Sequence, residues 1–142
     1  EIYGHNTATD LVLTTIDVDY QVLAFGVNGQ SNLTTPDYTN SHITITKTGV
    51  YKVSYTLAVK TSGATVNVSF VVKKNNGATG YDCSDVHMDI PLAGNEVSVS
   101  GSCLISLTAN DTLEIWGHRN DGAVAKTIQI GHANLNVVMV GG

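Results

Sequence analysis

Apolar and polar residues alternate along this chain with a period of two, most clearly from Tyr51 to Lys60. Tyr51, Val53, Tyr55, Leu57 and Val59 fall on one side, and Lys52, Ser54, Thr56, Ala58 and Lys60 on the other. That period predicts a half-buried β-strand, opened by Gly49 and closed by Ser62-Gly63. The same pattern recurs on both sides of it. Residues 11–16 and 20–25 read as short strands separated by Asp17-Val18-Asp19, and Asn28-Gly29 is a tight-turn signal. Residues 31–40, with Pro36-Asp37, read as a loop, and 43–46 alternate into the turn Lys47-Thr48-Gly49. Val66, Val68, Phe70 and Val72 share a face, and Asn75-Asn76-Gly77 turns the chain. Residues 80–91 are polar and mixed, a weak strand or an ordered loop. Val97, Val99, Cys103, Ile105 and Leu107 point inward from 97–107. Over 112–118, Leu113, Ile115 and Gly117 oppose Glu114, Trp116 and His118. Residues 127–132 and 133–140 give the last two strands.

No stretch carries a helical stripe, and no repeat of fixed period supports a β-propeller. Many short strands with turn signals about every ten residues predict an all-β, two-sheet antiparallel sandwich of the jelly-roll type. Residues 1–10, with Gly4, His5, Asn6 and Thr7, read as a polar lead-in linker. That leaves 11–142 as a single jelly-roll domain, large enough to bury about two thirds of its unfolded surface.

Composition narrows the function. Charged residues are 13% of the chain, hydrophobic residues 42%, and the net charge is -5. The seven basic residues are scattered, which argues against nucleic acid and against an anionic membrane surface. No run is long enough to insert in a membrane as a helix. The chain does not start with Met and has no signal-peptide pattern, so it reads as a processed piece of something longer. Cys83 and Cys103 can pair, but the expectation is two reduced, partly buried thiols acting as small hydrophobes. Of the sequons at Asn32, Asn67 and Asn110, the one at Asn67 falls in a predicted strand, which argues against a glycan there.

Four segments in order carry a family resemblance. They are Gly49-Val50-Tyr51-Lys52-Val53-Ser54-Tyr55, Val68-Ser69-Phe70-Val71-Val72-Lys73-Lys74-Asn75-Asn76-Gly77, Leu107-Thr108-Ala109-Asn110-Asp111-Thr112-Leu113-Glu114-Ile115, and the final apolar strand Ala133-Asn134-Leu135-Asn136-Val137-Val138-Met139-Val140. Together they resemble the jelly-roll superfamily of tumour necrosis factor and the globular heads of complement, over roughly residues 23–142. Asn110 stands where that family usually has Gly. The polar, Thr- and Asn-rich character is most similar to the distal trimeric domains of phage tail fibres or tailspikes and to bacterial collagen-like surface proteins. The resemblance implies a homotrimer at an extracellular or virion surface. A physical argument runs beside it: Val71, Leu104, Trp116, Val138 and Val140 lie on faces opposite the core, and a subunit interface would remove them from water.

Candidate chemistry is sparse. Cys83, Asp85, His87 and Asp89 would share one side of an extended strand, as metal ligands can, but a solvated edge is the plainer reading. His5, His42, His87, His118 and His132 share no motif, there is no nucleophile elbow, and Glu114 is the only acid well inside a strand. No enzyme, cofactor or metal is therefore expected. Calcium at a trimer apex occurs in some of the proteins resembled; Asp37, Asp82, Asp85 and Asp121 are the loop acids that would serve, with no spacing to fix them. A binding surface is favoured instead. Trp116 with Glu114, His118 and Arg119 suits a sugar ring, which stacks on the indole while polar groups bind its hydroxyls. Asp37, Tyr38 and Tyr81 are further candidates. The reading is a non-enzymatic trimeric recognition and trimerisation head of a fibre or spike protein, its partners being itself and a surface glycan or receptor, with avidity supplying grip. The alternatives are a monomeric carbohydrate-binding module of a polysaccharide-degrading enzyme, a cytokine-like protein ligand, and a structural cap.

Overall fold

The computed structural model describes residues 1–91 and 93–142. Its centre is the alternating segment, strand β6 (Gly49–Thr61), with Tyr51, Val53, Tyr55, Leu57 and Val59 all buried. β6 pairs on one side with β10 (Val97–Leu107) and on the other with β12 (Lys126–Gly141). β1 (Ile2–Leu13) adds to β12, and β3 (Val27–Asn28) to β1, giving a five-stranded sheet in the order β10-β6-β12-β1-β3. The second sheet runs β4 (Thr34–Asp37), β5 (His42–Ile45), β11 (Thr112–Arg119), β7 (Val66–Lys74), β8 (Thr79–Gly80). β2 (Tyr20–Gln21) also pairs with β11, and β9 (Val86–Ile90) with β7. Every strand pair in both sheets is antiparallel. The inward residues of both sheets, among them Phe70, Ile105, Leu113, Ile115 and Leu135, form one core. This is the expected two-sheet jelly-roll sandwich.

Several expectations need correction. Residues 1–10 are not a lead-in: Ile2–Leu13 is a strand paired with β12 for most of its length. Its anchors, Ile2, Leu11 and Leu13, sit at the two ends and are buried. Between them the ladder shifts register between His5 and Thr9, and Asn6 and Ala8 take left-handed backbone at φ 53° and 46°. That bulge carries the polar residues that hide the strand's alternation. Of residues 20–25 only Tyr20–Gln21 keep a strand ladder, although Val22 and Ala24 are fully buried and the Val22 N–H donates to the Ile115 carbonyl at 2.9 Å. Residues 127–140 form one long strand, and 80–91 hold β8, a turn of 3-10 helix (Asp82–Ser84) and β9. Val71 is only 6% exposed, so it needs no second subunit to cover it.

The cysteines, expected to be reduced, form a disulfide between the Asp82–Ser84 turn and β10, with Cα atoms 5.6 Å apart. Each lies at a sheet margin, β10 ending one sheet and the turn leading into β9 on the other. The bond therefore ties the two layers at an open edge. Beside it, the Tyr55 hydroxyl is shared between the Phe70 carbonyl at 2.8 Å and the Ser84 carbonyl at 3.0 Å, and burial pushes its phenol pKa upward. Ser84 Oγ in turn donates to the Tyr81 carbonyl at 2.7 Å and accepts the Val72 N–H at 2.9 Å. Gly101 is required for this approach: a Cβ there would lie 2.5 Å from the Tyr55 ring and 2.7 Å from the Ser84 carbonyl.

The disulfide closes a loop across a sequence separation of 20. Chain-entropy arguments give such a crosslink about 3 kcal/mol. Urea unfolding of a Cys83→Ser/Cys103→Ser variant is expected to show a loss of that size, matched by dithiothreitol treatment of the native chain; equal midpoints with and without reductant would refute it.

Candidate functional site

Two surfaces carry unused chemistry, one on the outer face of each sheet. On β11 the period-two alternation sends Glu114, Trp116 and His118 outward. The turn after β7, Asn75-Asn76-Gly77, has all three residues at positive φ and folds back over them. A Cβ on Gly77 would sit 3.0 Å from the Trp116 indole, so the ring lies under this turn and opposite Val71 in the ladder. Its Nε1 is buried and has no protein partner. The turn also covers Glu114, which is 2% exposed. Glu114 Oε1 accepts the Asn76 N–H at 3.3 Å and the Thr112 hydroxyl, whereas Oε2 is buried without a partner.

Further along the face, Asp19 joins two strands of the sheet. It accepts from His118 Nδ1 at 2.9 Å and from the Lys73 ammonium. Burial opposes ionisation of Asp19, but the hydrogen bonds and charges of Lys73 and His118 outweigh it and hold the carboxyl below its usual range. At the opposite end of the sheet Asp111 has the same balance. Desolvation raises its pKa, and the Thr108 N–H, Asn75 and Lys74 together bring it below the ordinary value. Between these groups lies a polar depression lined by Gln21, Asn40, His42, Asn76, Thr112 and Glu114. Asp37 stands next to it, accepting from Asn40 at 3.1 and 2.8 Å, with His42 Nε2 at 3.8 Å. Those Asn40 hydrogen bonds hold the Asp37 carboxyl below its usual value. Tyr38 follows in the same turn and is 41% exposed.

The structure thus sets Glu114 at the wall of one depression with Asp37 next to it, and His118 beside Asp19, while the Tyr38 N–H donates to Asn28 Oδ1 at 2.8 Å on the side of the other sheet. Trp116 is placed under a turn, not on an open platform. Arg119 does not join them. Its guanidinium is 3% exposed and donates to the carbonyls of Leu13 and Thr14 at 3.1 Å, Asp121 at 2.7 Å, and Gly122. It pins the end of β1 to the turn after β11. Tyr81 packs against the core, its N–H donating to the Val72 carbonyl at 3.0 Å. Cys83, Asp85, His87 and Asp89 make no common donor set: Cys83 is in the disulfide, Asp85 meets His87 at 3.2 Å, and Asp89 accepts from Asn67 at 2.8 Å. Among the described residues no three His, Cys, Asp or Glu side chains converge as metal ligands, so Asp37, Asp82, Asp85 and Asp121 are not gathered either. Asp19, Gln21, Asn40 and His42 escaped the sequence reading. Asp19 looked like a strand breaker, and the only hint of its role was the outward Lys73 across the sheet.

The outer face of the five-stranded sheet is different. Leu104, Val138 and Val140 are 66%, 59% and 56% exposed, and Val50 is also exposed. Register sets Leu104 of β10 and Val138 of β12 on either side of Lys52 of β6, so the apolar groups flank a lysine at the centre of this face. Farther along, the same face is hydroxyl and amide: Ser100, Ser102, Thr56, Asn134 and Asn136.

No family model and no curated protein matches the chain. Solved structures do. The fold is similar to that of Eiger TNF from S. frugiperda, at 16% identity and a TM-score of 0.65, with 98% of this chain and 90% of that chain covered. It is also similar to the globular domain of zebrafish complement 1qA protein, at 11% identity and a TM-score of 0.54, covering 92% and 94% respectively. The chain therefore has the tumour-necrosis-factor-like jelly-roll fold, shared with a complement globular head.

The Asp19 cluster sets a pH dependence. A carboxylate with a lowered folded pKa contributes stability above its unfolded value of about 3.9, and that stability is lost as pH falls through the lower folded value. Asp19→Asn is expected to lose more stability at pH 7 than at pH 2.5. Urea midpoints at the two pH values check this, and an equal loss at both would contradict it.

Proposed function

We propose that this chain is a non-enzymatic recognition head that assembles as a homotrimer through the outer face of its five-stranded sheet. The observation that carries the reading is the exposed apolar patch of Leu104, Val138, Val140 and Val50 around Lys52. Flat apolar side chains on a sheet face are costly in water, and a closed assembly removes the cost without leaving an open surface for further growth. The fold is in keeping with it, being similar to one structure solved as a TNF and one solved as a complement globular domain. The distal part of a fibre or spike at an extracellular or virion surface is the setting that the hydroxyl- and amide-rich exterior favours.

The second sheet then faces outward and carries recognition. Its depression presents the amides of Gln21, Asn40 and Asn76 and the imidazole of His42, with the Asp37 carboxylate next to it and Glu114 buried in its wall. Groups of this kind match a hydroxyl-rich ligand, so a cell-surface glycan is the preferred ligand and a protein receptor the second choice. Three such depressions on one rigid assembly multiply a weak single-site affinity.

Sedimentation velocity at low concentration is expected to give three times the 15.0 kDa subunit mass. A Leu104→Glu/Val138→Glu variant should sediment as one subunit with unchanged circular dichroism; a native chain that sediments as one subunit overturns the assembly. For recognition, a glycan array probed with the native chain and with an Asn40→Ala/His42→Ala variant should lose its signal in the variant. Equal signals, or none from either, would remove the depression from the role.

A further inference from the structure

We propose that His5 and His132 form a binding site for a single divalent transition-metal ion of the copper–nickel type. The two residues are direct cross-strand partners in β1 and β12. Their ring centroids are 4.5 Å apart, and the two Nδ1 atoms face each other at 3.0 Å. They are unlike the other three histidines, each of which is matched to an oxygen group: His42 to Asp37, His87 to Ser69 and Asp85, His118 to Asp19.

The backbone around the pair is irregular on both strands. The β1–β12 ladder shifts register between His5 and Thr9, and the β12–β6 ladder between Ile130 and His132. Ala8 sits at φ 46°, a left-handed region that a side chain with a Cβ enters only under strain. Bulges of this kind re-aim side chains, and their clustering at one point is a sign of a functional position. Here both of them flank the same two imidazoles.

Geometry selects the ion. With metal–nitrogen bonds of about 2.0–2.1 Å, two nitrogens 3.0 Å apart subtend roughly 90–100° at the metal. That is the cis angle of a square-planar or octahedral centre, tighter than a tetrahedral one, and imidazole nitrogen in such a geometry suits Cu(II) or Ni(II). Loading needs one internal proton shift. The imidazole that donates from Nδ1 moves that proton to its own Nε2, leaving both Nδ1 lone pairs for the metal. Rotation of the rings about χ2 brings the lone pairs onto a common point. No proton is lost and no redox step is involved.

The surroundings favour a cation. The groove that holds the pair is lined by Glu1, Tyr3, Glu96, Ser98 and Asn134 and has no Lys or Arg. Glu96 lays its carboxylate over Gly131, the neighbour of His132, where a Cβ would come within 3.0 Å of Oε2. It stands in the groove as an outer-sphere acceptor for a metal-bound water. Two protein ligands leave the other coordination positions to water. The site is separate from the apolar patch: His132 and Val138 are six residues apart on β12, roughly 20 Å along the sheet.

The test is titration calorimetry of the native chain with Ni(II) and with Cu(II), together with the electron paramagnetic resonance spectrum of the Cu(II) form. One site per chain and a spectrum showing two imidazole nitrogens are expected. His5→Ala and His132→Ala should each weaken binding by more than the 10- to 100-fold that loss of an outer-sphere partner costs. His87→Ala should leave it unchanged. Circular dichroism and urea midpoints of the variants in the absence of metal establish that each is folded. Binding that survives in a His5→Ala/His132→Ala variant, or a native chain that takes up neither ion, overturns the proposal.

Discussion

The whole sandwich is registered on the Tyr55 hydroxyl. It leaves the middle of β6, crosses the core and reaches two carbonyls of the opposite layer, on Phe70 and Ser84. A buried phenol must find such partners or forfeit the stability its ring supplies. This fixes the distance between the layers and the position of the turn that carries Cys83. The disulfide to Cys103 then joins that turn to β10. Gly101 follows from the same constraint, since any side chain at that point of β10 would strike the Tyr55 ring. Four features that look unrelated in the chain thus answer to one hydrogen-bonding group.

With the layers locked, the two outer faces are free to differ. The five-stranded sheet is mostly long-stranded and apolar at one end. The other is shorter-stranded, interrupted by turns, and laced with ion pairs: Lys73 and His118 on Asp19, Lys74 on Asp111. Turns such as Asn75–Gly77 and the one holding Tyr38 suit a ligand of irregular shape, because loops place polar groups that a pleated face cannot.

The long strands β6, β7, β10 and β11 were legible in the sequence because burial of one face forces period two on them. β1 was not. Its inward residues cluster at its ends, and the bulge between His5 and Thr9 breaks the alternation where the strand is most polar. The burial of Val22 and Ala24 was visible as hydrophobicity, but not the lack of a ladder beyond Gln21. At the candidate site, the outward direction of Glu114, Trp116 and His118 followed from alternation. The same rule, carried two residues past Gly117, puts Arg119 inside, where its charge disguised the fact. The covering of Trp116 depends on a turn with three residues at positive φ, and the cysteine pairing on two edges meeting in space. The turn itself is legible in Asn75-Asn76-Gly77, but the side chain it folds over and the meeting of the two edges are long-range facts with no local signature.

The placement of β1 has a mechanical consequence. It lies inside the five-stranded sheet, hydrogen-bonded to β12 on one side and to β3 on the other. A tension applied at Glu1 against something gripped on the far sheet would draw β1 along its own length. The ladder to β12 would then be loaded in shear, all its bonds sharing the pull, and the paired carbonyls that hold Arg119 would resist at the far end of the strand. The same load directed across the sheet would peel the bonds one at a time. The fold is therefore stiffer along the axis of β1 than across it.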